Sequence, residues 1–110
     1  MKYEMKLQPN PFEKIGNGTK TIEIRLNDEK RRLLKIGDEI EFCLITDTNK
    51  KLKTRVADLL PFATFQELCI DFPPESYGSR NSDEYVAMYK YYSREDEGKY
   101  GVLAIKIERI

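Results

Sequence analysis

The segment Thr21-Ile22-Glu23-Ile24-Arg25-Leu26 alternates without a break, with Ile22, Ile24 and Leu26 at one parity and Thr21, Glu23 and Arg25 at the other. Side chains of a strand point to opposite faces in turn, so this is a strand with one apolar face. Three further segments follow the same rule. Glu39 to Ile45, after the turn Ile36-Gly37-Asp38, sets Ile40, Phe42 and Leu44 inward, and Lys51 to Leu60 reads as its partner. Tyr100 to Ile110 alternates Val102, Ala104 and Lys106 with Leu103, Ile105 and Ile107, which makes four or five strands in all.

Three short helices are placed between them by their starts. Asn10-Pro11-Phe12-Glu13 carries a capping Asn, a Pro at the first helical position and a Glu three residues after the cap; Gly16 and Gly18 end it. Thr64-Phe65-Gln66-Glu67 is a second capping box, with Phe65, Leu68, Cys69 and Phe72 on one face and Pro73-Pro74 as the stop. Asn81-Ser82-Asp83-Glu84 opens a third helix, with Tyr85, Met88, Tyr89 and Tyr92 on one stripe. That stripe reads first as core packing and second as a platform on which bases stack. Pro73 to Ser82 is expected as a surface loop.

Strands of mixed length without a βαβ rhythm point to an α+β, mainly β fold: an antiparallel sheet curled into a small barrel, with about three short helices at its open ends. A doubly wound nucleotide fold is not expected. Gly16-Asn17-Gly18-Thr19-Lys20-Thr21 lacks the spacing of a phosphate loop, and no strand leads into it.

Length and composition narrow the function. At 110 residues the chain is expected to form one domain, 1–110, with a single modest core. Nineteen basic and nineteen acidic residues cancel, so any nucleic-acid site must be local. The first sixty residues carry an excess of +3 and the remainder −3. There is no His, which removes the commonest general base and zinc ligand together with every Ser-His or Cys-His pair. Cys43 and Cys69, each between apolar neighbours, read as buried thiols of a reducing cytoplasm rather than as a disulfide or a metal site. No metal and no cofactor is expected. Met1 to Lys6 lacks the apolar run of a leader, and no stretch approaches the roughly eighteen apolar residues of a membrane span. The expected location is cytoplasmic.

One polar cluster has a defined geometry. Gly18-Thr19-Lys20-Thr21-Ile22-Glu23-Ile24-Arg25 joins a helix end to a strand, and parity puts Glu23 and Arg25 on one face. Lys20 has the opposite parity and joins them only if the backbone bends near Gly18, which a glycine permits. Taken by itself, the cluster is a solvated strand face with an ion pair.

A resemblance shifts that reading. Leu7-x-Pro9-x-Pro11-Phe12-x-x-Ile15-x-x-Gly18-x-Lys20-x-x-Glu23-x-Arg25, then Ile36-Gly37-Asp38-x-Ile40, the Tyr-rich helix and Tyr100-Gly101-Val102-x-Ala104-Ile105 resemble the ASCH domain, a branch of the PUA-like superfamily of RNA-associated β-barrels. The resemblance implies a partly open barrel with a cleft beside the first helix, lined by the Gly-x-Lys-x-x-Glu-x-Arg string, and RNA or a modified nucleoside as partner. Lys20 supplies a compact cation, Glu23 an acceptor and Arg25 a planar fork.

The resemblance also implies an alternative, a metal-free hydrolase with Lys20 as base and Glu23 as proton shuttle. Relatives that deacetylate N4-acetylcytidine use a Lys, a nucleophilic Thr three residues later and a distant Glu. Here Glu23 stands at the Thr position, and Glu75 and Glu84 are the candidates for the distant Glu. A ribonuclease set would be Lys20, Tyr77 and Ser79. The loop Glu75-Ser76-Tyr77-Gly78-Ser79-Arg80-Asn81 is either a polar turn or, through Tyr77, Ser79 and Arg80, a grip on a base and its phosphate. The basic runs Lys30-Arg31-Arg32 and Lys50 to Arg55 read as solvated surface. A third reading is an interaction module without a small-molecule ligand.

Overall fold

The computed structural model describes residues 1–110. Five strands form one curled, half-barrel sheet, and the fold is mixed α+β. In chain order they are β1 (Lys2–Leu7), β2 (Ile22–Leu26), β3 (Glu39–Leu44), β4 (Asp47–Phe62) and β5 (Val102–Arg109). Their spatial order is β1-β3-β4-β5-β2. The pairings β3–β4, β4–β5 and β5–β2 are antiparallel, as expected. The β1–β3 pairing is parallel, which departs from an all-antiparallel sheet. The first strand was hidden behind its charge: Tyr3, Met5 and Leu7 alternate with Lys2, Glu4 and Lys6, and only Met5 and Leu7 are fully buried.

Helix α1 (Pro9–Gly16) begins ahead of the expected cap at Asn10; Gln8 is the cap residue and makes no side-chain bond. Pro9 explains the early start, since proline at the first helical position gives up only an N–H that has no partner there. Helix α2 (Phe65–Asp71) has the expected cap, Thr64 accepting from the Glu67 N–H at 3.1 Å. Helix α3 (Arg94–Tyr100), not foreseen, is capped by Ser93, and it shortens the terminal strand to begin at Val102. Its buried Glu97 accepts from the Phe65 N–H at 2.8 Å and from the Tyr89 hydroxyl at 2.9 Å, tying three segments together. No helix is long and apolar enough to cross a membrane.

The Tyr-rich segment Ser82–Lys90 is a 3₁₀ helix rather than an α-helix. At three residues per turn, side chains at i and i+3 eclipse, yet Tyr85, Met88, Tyr89 and Tyr92, the expected stripe, all pack against the core cluster around Phe65. Tyr89 and Tyr92 pack on Phe65, at ring distances of 5.8 and 5.6 Å. Tyr85 and Met88, with the exposed Tyr91 just past the helix end, follow one another at three-residue spacing as a ridge on this packed face. The expected loop Pro73 to Ser82 likewise contains a 3₁₀ turn, Pro74–Tyr77.

Two cores lie on the two sides of β5. Leu103, Ile105 and Ile107 join Met5, Leu7, Ile40, Phe42 and Val56 inside the curl. Val102 and Ala104 join Ile22, Ile24, Leu26, Phe65 and Leu68 on the other side. Because Glu23 pairs with Ile105 and Arg25 with Leu103, the polar face of β2 is turned into the curl rather than to water.

Candidate functional site

The outer strands of the sheet are β1 and β2, and between them the barrel is open. Arg25 reaches across the seam, its Nη2 donating to the Lys6 carbonyl at 3.1 Å. A cleft of about 330 Å³ runs along this seam and the free edge of β2. One wall comes from Leu7 and Pro11, the other from the ridge Tyr85, Met88 and Tyr91, and its polar floor from Lys20, Glu23 and Arg25.

Local chain geometry brings these three together. Gly18 takes a left-handed φ of +84°, turning the chain out of α1. The Lys20 N–H then donates back to the Lys14 carbonyl, and regular pairing begins only at Ile22. Lys20 therefore precedes the strand and escapes its parity. Its Nζ lies 2.9 Å from Glu23 Oε1, while Arg25 Nε donates to Glu23 Oε2 at 2.7 Å. Glu23 is only 4% exposed and Lys20 8%.

Burial pushes the Glu23 carboxyl up, but the charges and hydrogen bonds of Lys20 and Arg25 outweigh it and hold the group below the usual carboxylate range. At neutral pH Glu23 is thus a pure acceptor. Burial works to lower the Arg25 guanidinium, and the Glu23 charge overcomes it and raises it. No three His, Cys, Asp or Glu side chains come together in an arrangement that would hold a metal ion.

The remaining candidates divide. Tyr77 and Ser79 line the cleft, as does Glu84. The Tyr77 hydroxyl is committed, donating to the Cys69 carbonyl at 2.8 Å, and burial raises its pKa strongly. Gly18 lies outside, on a separate hollow beside Thr54 and Ile107. Its contribution is the bend. Arg80 also stands outside, its side chain 91% exposed and paired with Glu84 at 2.9 Å. Glu75 is exposed and does not border the cleft. Between Tyr77 and Ser79, Gly78 leaves room for the Lys20 stem: a Cβ there would meet Lys20 Cδ at 3.2 Å. Lys14 Nζ holds the Gly78 carbonyl at 3.0 Å, fixing this loop to α1.

Sequence reasoning missed the β1 side of the cleft and Tyr91. Alternation in Lys2–Leu7 signalled the first, whereas Tyr91 becomes legible only with a three-residue period.

The ASCH domain profile matches residues 5–110. This chain belongs to the ASCH domain family. No curated protein matches it. Among solved structures it is similar to hypothetical protein PH0355, a crystal structure, at 40% identity and a TM-score of 0.89, with both chains covered completely. It is also similar to protein PF0455 from Pyrococcus furiosus, solved by NMR, at 38% identity and a TM-score of 0.78, covering 100% of this chain and 98% of that one. The S128A mutant of the ASCH protein from Zymomonas mobilis shares the fold at 14% identity and a TM-score of 0.69, over 96% of this chain and 66% of the other. These neighbours place the barrel-like sheet within the ASCH fold.

Proposed function

We propose that this ASCH domain binds RNA, and that it does so by taking a nucleoside, free or within a short single-stranded segment, into the seam cleft. The observation that supports this most is the convergence of Lys20, Glu23 and Arg25 on one cavity whose walls are aromatic and aliphatic. A flat, apolar-faced ring with a polar edge suits such a cavity, because its faces gain from burial and its edge meets oriented donors and an acceptor. Lys20 and Arg25 also supply a local positive charge that the chain as a whole lacks.

Binding is favoured over catalysis by the state of the cluster. A general base presents an unshared electron pair to its substrate, whereas Lys20 Nζ sits against Glu23, and a carboxylate held below its usual range is a poor proton acceptor. Fluorescence anisotropy with labelled single-stranded RNA, alongside incubation with N4-acetylcytidine, tests the reading. The expected result is saturable binding that Lys20→Ala weakens about tenfold or more, with the acetyl group left in place. Turnover abolished by Lys20→Ala would replace it with the hydrolase. Absence of binding by either ligand would leave the interaction module.

A further inference from the structure

The cleft floor is a row of three groups in fixed order. Glu23 Oε1 faces Lys20 Nζ at 2.9 Å and Oε2 faces Arg25 Nε at 2.7 Å, so the row runs donor, acceptor, donor. Each keeps capacity beyond those contacts. An ammonium has three hydrogens, a carboxylate oxygen more than one lone-pair site, and a guanidinium five hydrogens. Arg25 is locked at both ends, by Glu23 and by the Lys6 carbonyl at 3.1 Å, so its plane cannot turn to suit another partner. The depressed Glu23 carboxyl stays ionised at neutral pH and cannot become a donor.

Resting on the nucleoside reading above, we propose that the cleft selects an imide edge, C(=O)–N(H)–C(=O), as a uracil-type ring presents it. The ring N–H donates to Glu23, and the two flanking carbonyls accept from Lys20 and Arg25. Other bases leave a mismatch in this row. Cytosine sets a bare ring nitrogen against the Glu23 carboxylate, and adenine does the same. Guanine satisfies Glu23 but turns its exocyclic amine, a donor, toward Arg25. A buried polar group left facing its own kind is costly, so a row of this type discriminates more sharply than apolar walls can. The walls supply the rest: Tyr85, Met88 and Tyr91 on one side and Leu7 and Pro11 on the other enclose about 330 Å³, space for a planar ring with its sugar at the mouth.

Calorimetric titration of the full chain with uridine, cytidine, guanosine and 3-methyluridine tests this, with short oligouridylate and oligocytidylate as the RNA arm. Uridine or oligouridylate is expected to bind about tenfold or more tighter than its cytidine counterpart. 3-Methyluridine, in which a methyl group replaces the imide hydrogen, is expected to fall to the cytidine level. Preference shown by the free nucleoside assigns the site to a small molecule; preference shown only by the oligomer assigns it to a strand, and both support the imide. Glu23→Gln, with circular dichroism to confirm its fold, is expected to erase the preference.

Equal binding of uridine and cytidine, undiminished binding of 3-methyluridine, or tightest binding of guanosine would overturn the inference while leaving a nucleoside cleft in place. Failure of every nucleoside and oligomer to bind would instead remove the reading on which it rests. Because the methylated ligand is tested on the unaltered protein, the outcome does not depend on whether the variant folds.

Discussion

Two charged stretches of this chain look alike in the sequence and meet opposite fates in the fold. On β4, Lys51, Lys53 and Arg55 share one parity and face solvent, opposite Cys43, Glu41 and Glu39 in register. Leu52, Thr54 and Val56 take the inward positions. Glu41 pairs with Lys2 and Lys51, each at 3.4 Å, in a ladder of charges across the sheet surface. On β2 the apolar parity faces one core, yet the polar parity is covered too, because the sheet curls over it. Burial of the cations, not charge density, separates the two: Glu41 at 7% exposure is nearly as buried as Glu23 at 4%, but Lys2 and Lys51 stand half in water where Lys20 is 8% exposed. A carboxylate between two cations inside the curl is expensive to desolvate, and its place is kept only by the completeness of its contacts.

The sharpest way to break this contrast is to remove each carboxylate in turn. Glu23→Ala strands two largely buried cations and is expected to cost about 3–5 kcal/mol, read as a lower urea midpoint with unchanged slope. Glu41→Ala is expected to fall well short of that, since its two lysines are half in water already. Equal losses at the two positions would mean that the curl does not isolate Glu23.

Acid sharpens the same contrast. The folded Glu23 carboxyl lies below its ordinary value of 4.5, so its contribution to stability is complete above that pH and is lost as pH falls below it through the folded-state value. The Glu23→Gln variant lacks this term. Its stability deficit relative to the wild type is therefore expected to shrink below pH 4.5 and to stay constant from there to neutrality, in denaturation series at stepped pH. A deficit that persists unchanged into acid would show that the carboxylate gains nothing from Lys20 and Arg25.

A smaller effect is expected from Gly78→Ala. Gly78 has φ +88°, and its added methyl would press Lys20 Cδ at 3.2 Å. The left-handed conformation alone costs an L-residue about 1–2 kcal/mol. Displacement of the Lys20 stem is expected to weaken RNA binding as well. Gly37→Ala, at φ +94° and with no atom within 4 Å of the added methyl, serves as the control: comparable backbone strain at a glycine that neither borders the cleft nor shapes the bend before Lys20. If both variants bind RNA equally, the Gly78 contact does not position the amine.

Much of this fold is legible where a single periodicity rules. Ile22 to Leu26, Ile40 to Leu44 and Leu103 to Ile107 declare their strands, and Thr64 declares α2 through its own cap bond. Legibility fails where a tertiary contact decides. Nothing local makes Lys2–Leu7 parallel to β3, because register between distant strands is set by the core they share. Ser82–Lys90 carries an α-like stripe that does pack on the Phe65 cluster, while its backbone takes the tighter 3₁₀ turn. Ser93 and the acidic residues after it are an adequate helix start, but Arg94–Tyr100 has almost no apolar face to announce it. In the site, parity alone joins Glu23 to Arg25. Lys20 needed the bend at Gly18, and the covering of the polar face needed the curl.

The smallest expected effect bears on where RNA would lie under the proposed reading. If the strand crossed the β4 ladder, several phosphates would be neutralised, and affinity would fall steeply with salt, by roughly 0.7 logarithmic units per contact for each tenfold rise in concentration. The seam cleft instead offers Lys20 and Arg25, both already engaged with Glu23, so few counterions are released and a shallow dependence is expected. Lys53→Ala is accordingly expected to leave the RNA affinity, its salt slope and the thermal midpoint unchanged. A steep slope that Lys53→Ala flattens, with Lys20→Ala neutral, would move the binding surface to β4. The comparison would then be reversed, and the buried cluster would be a device for holding the open edge of the barrel, with Arg25 as the tie between β2 and β1.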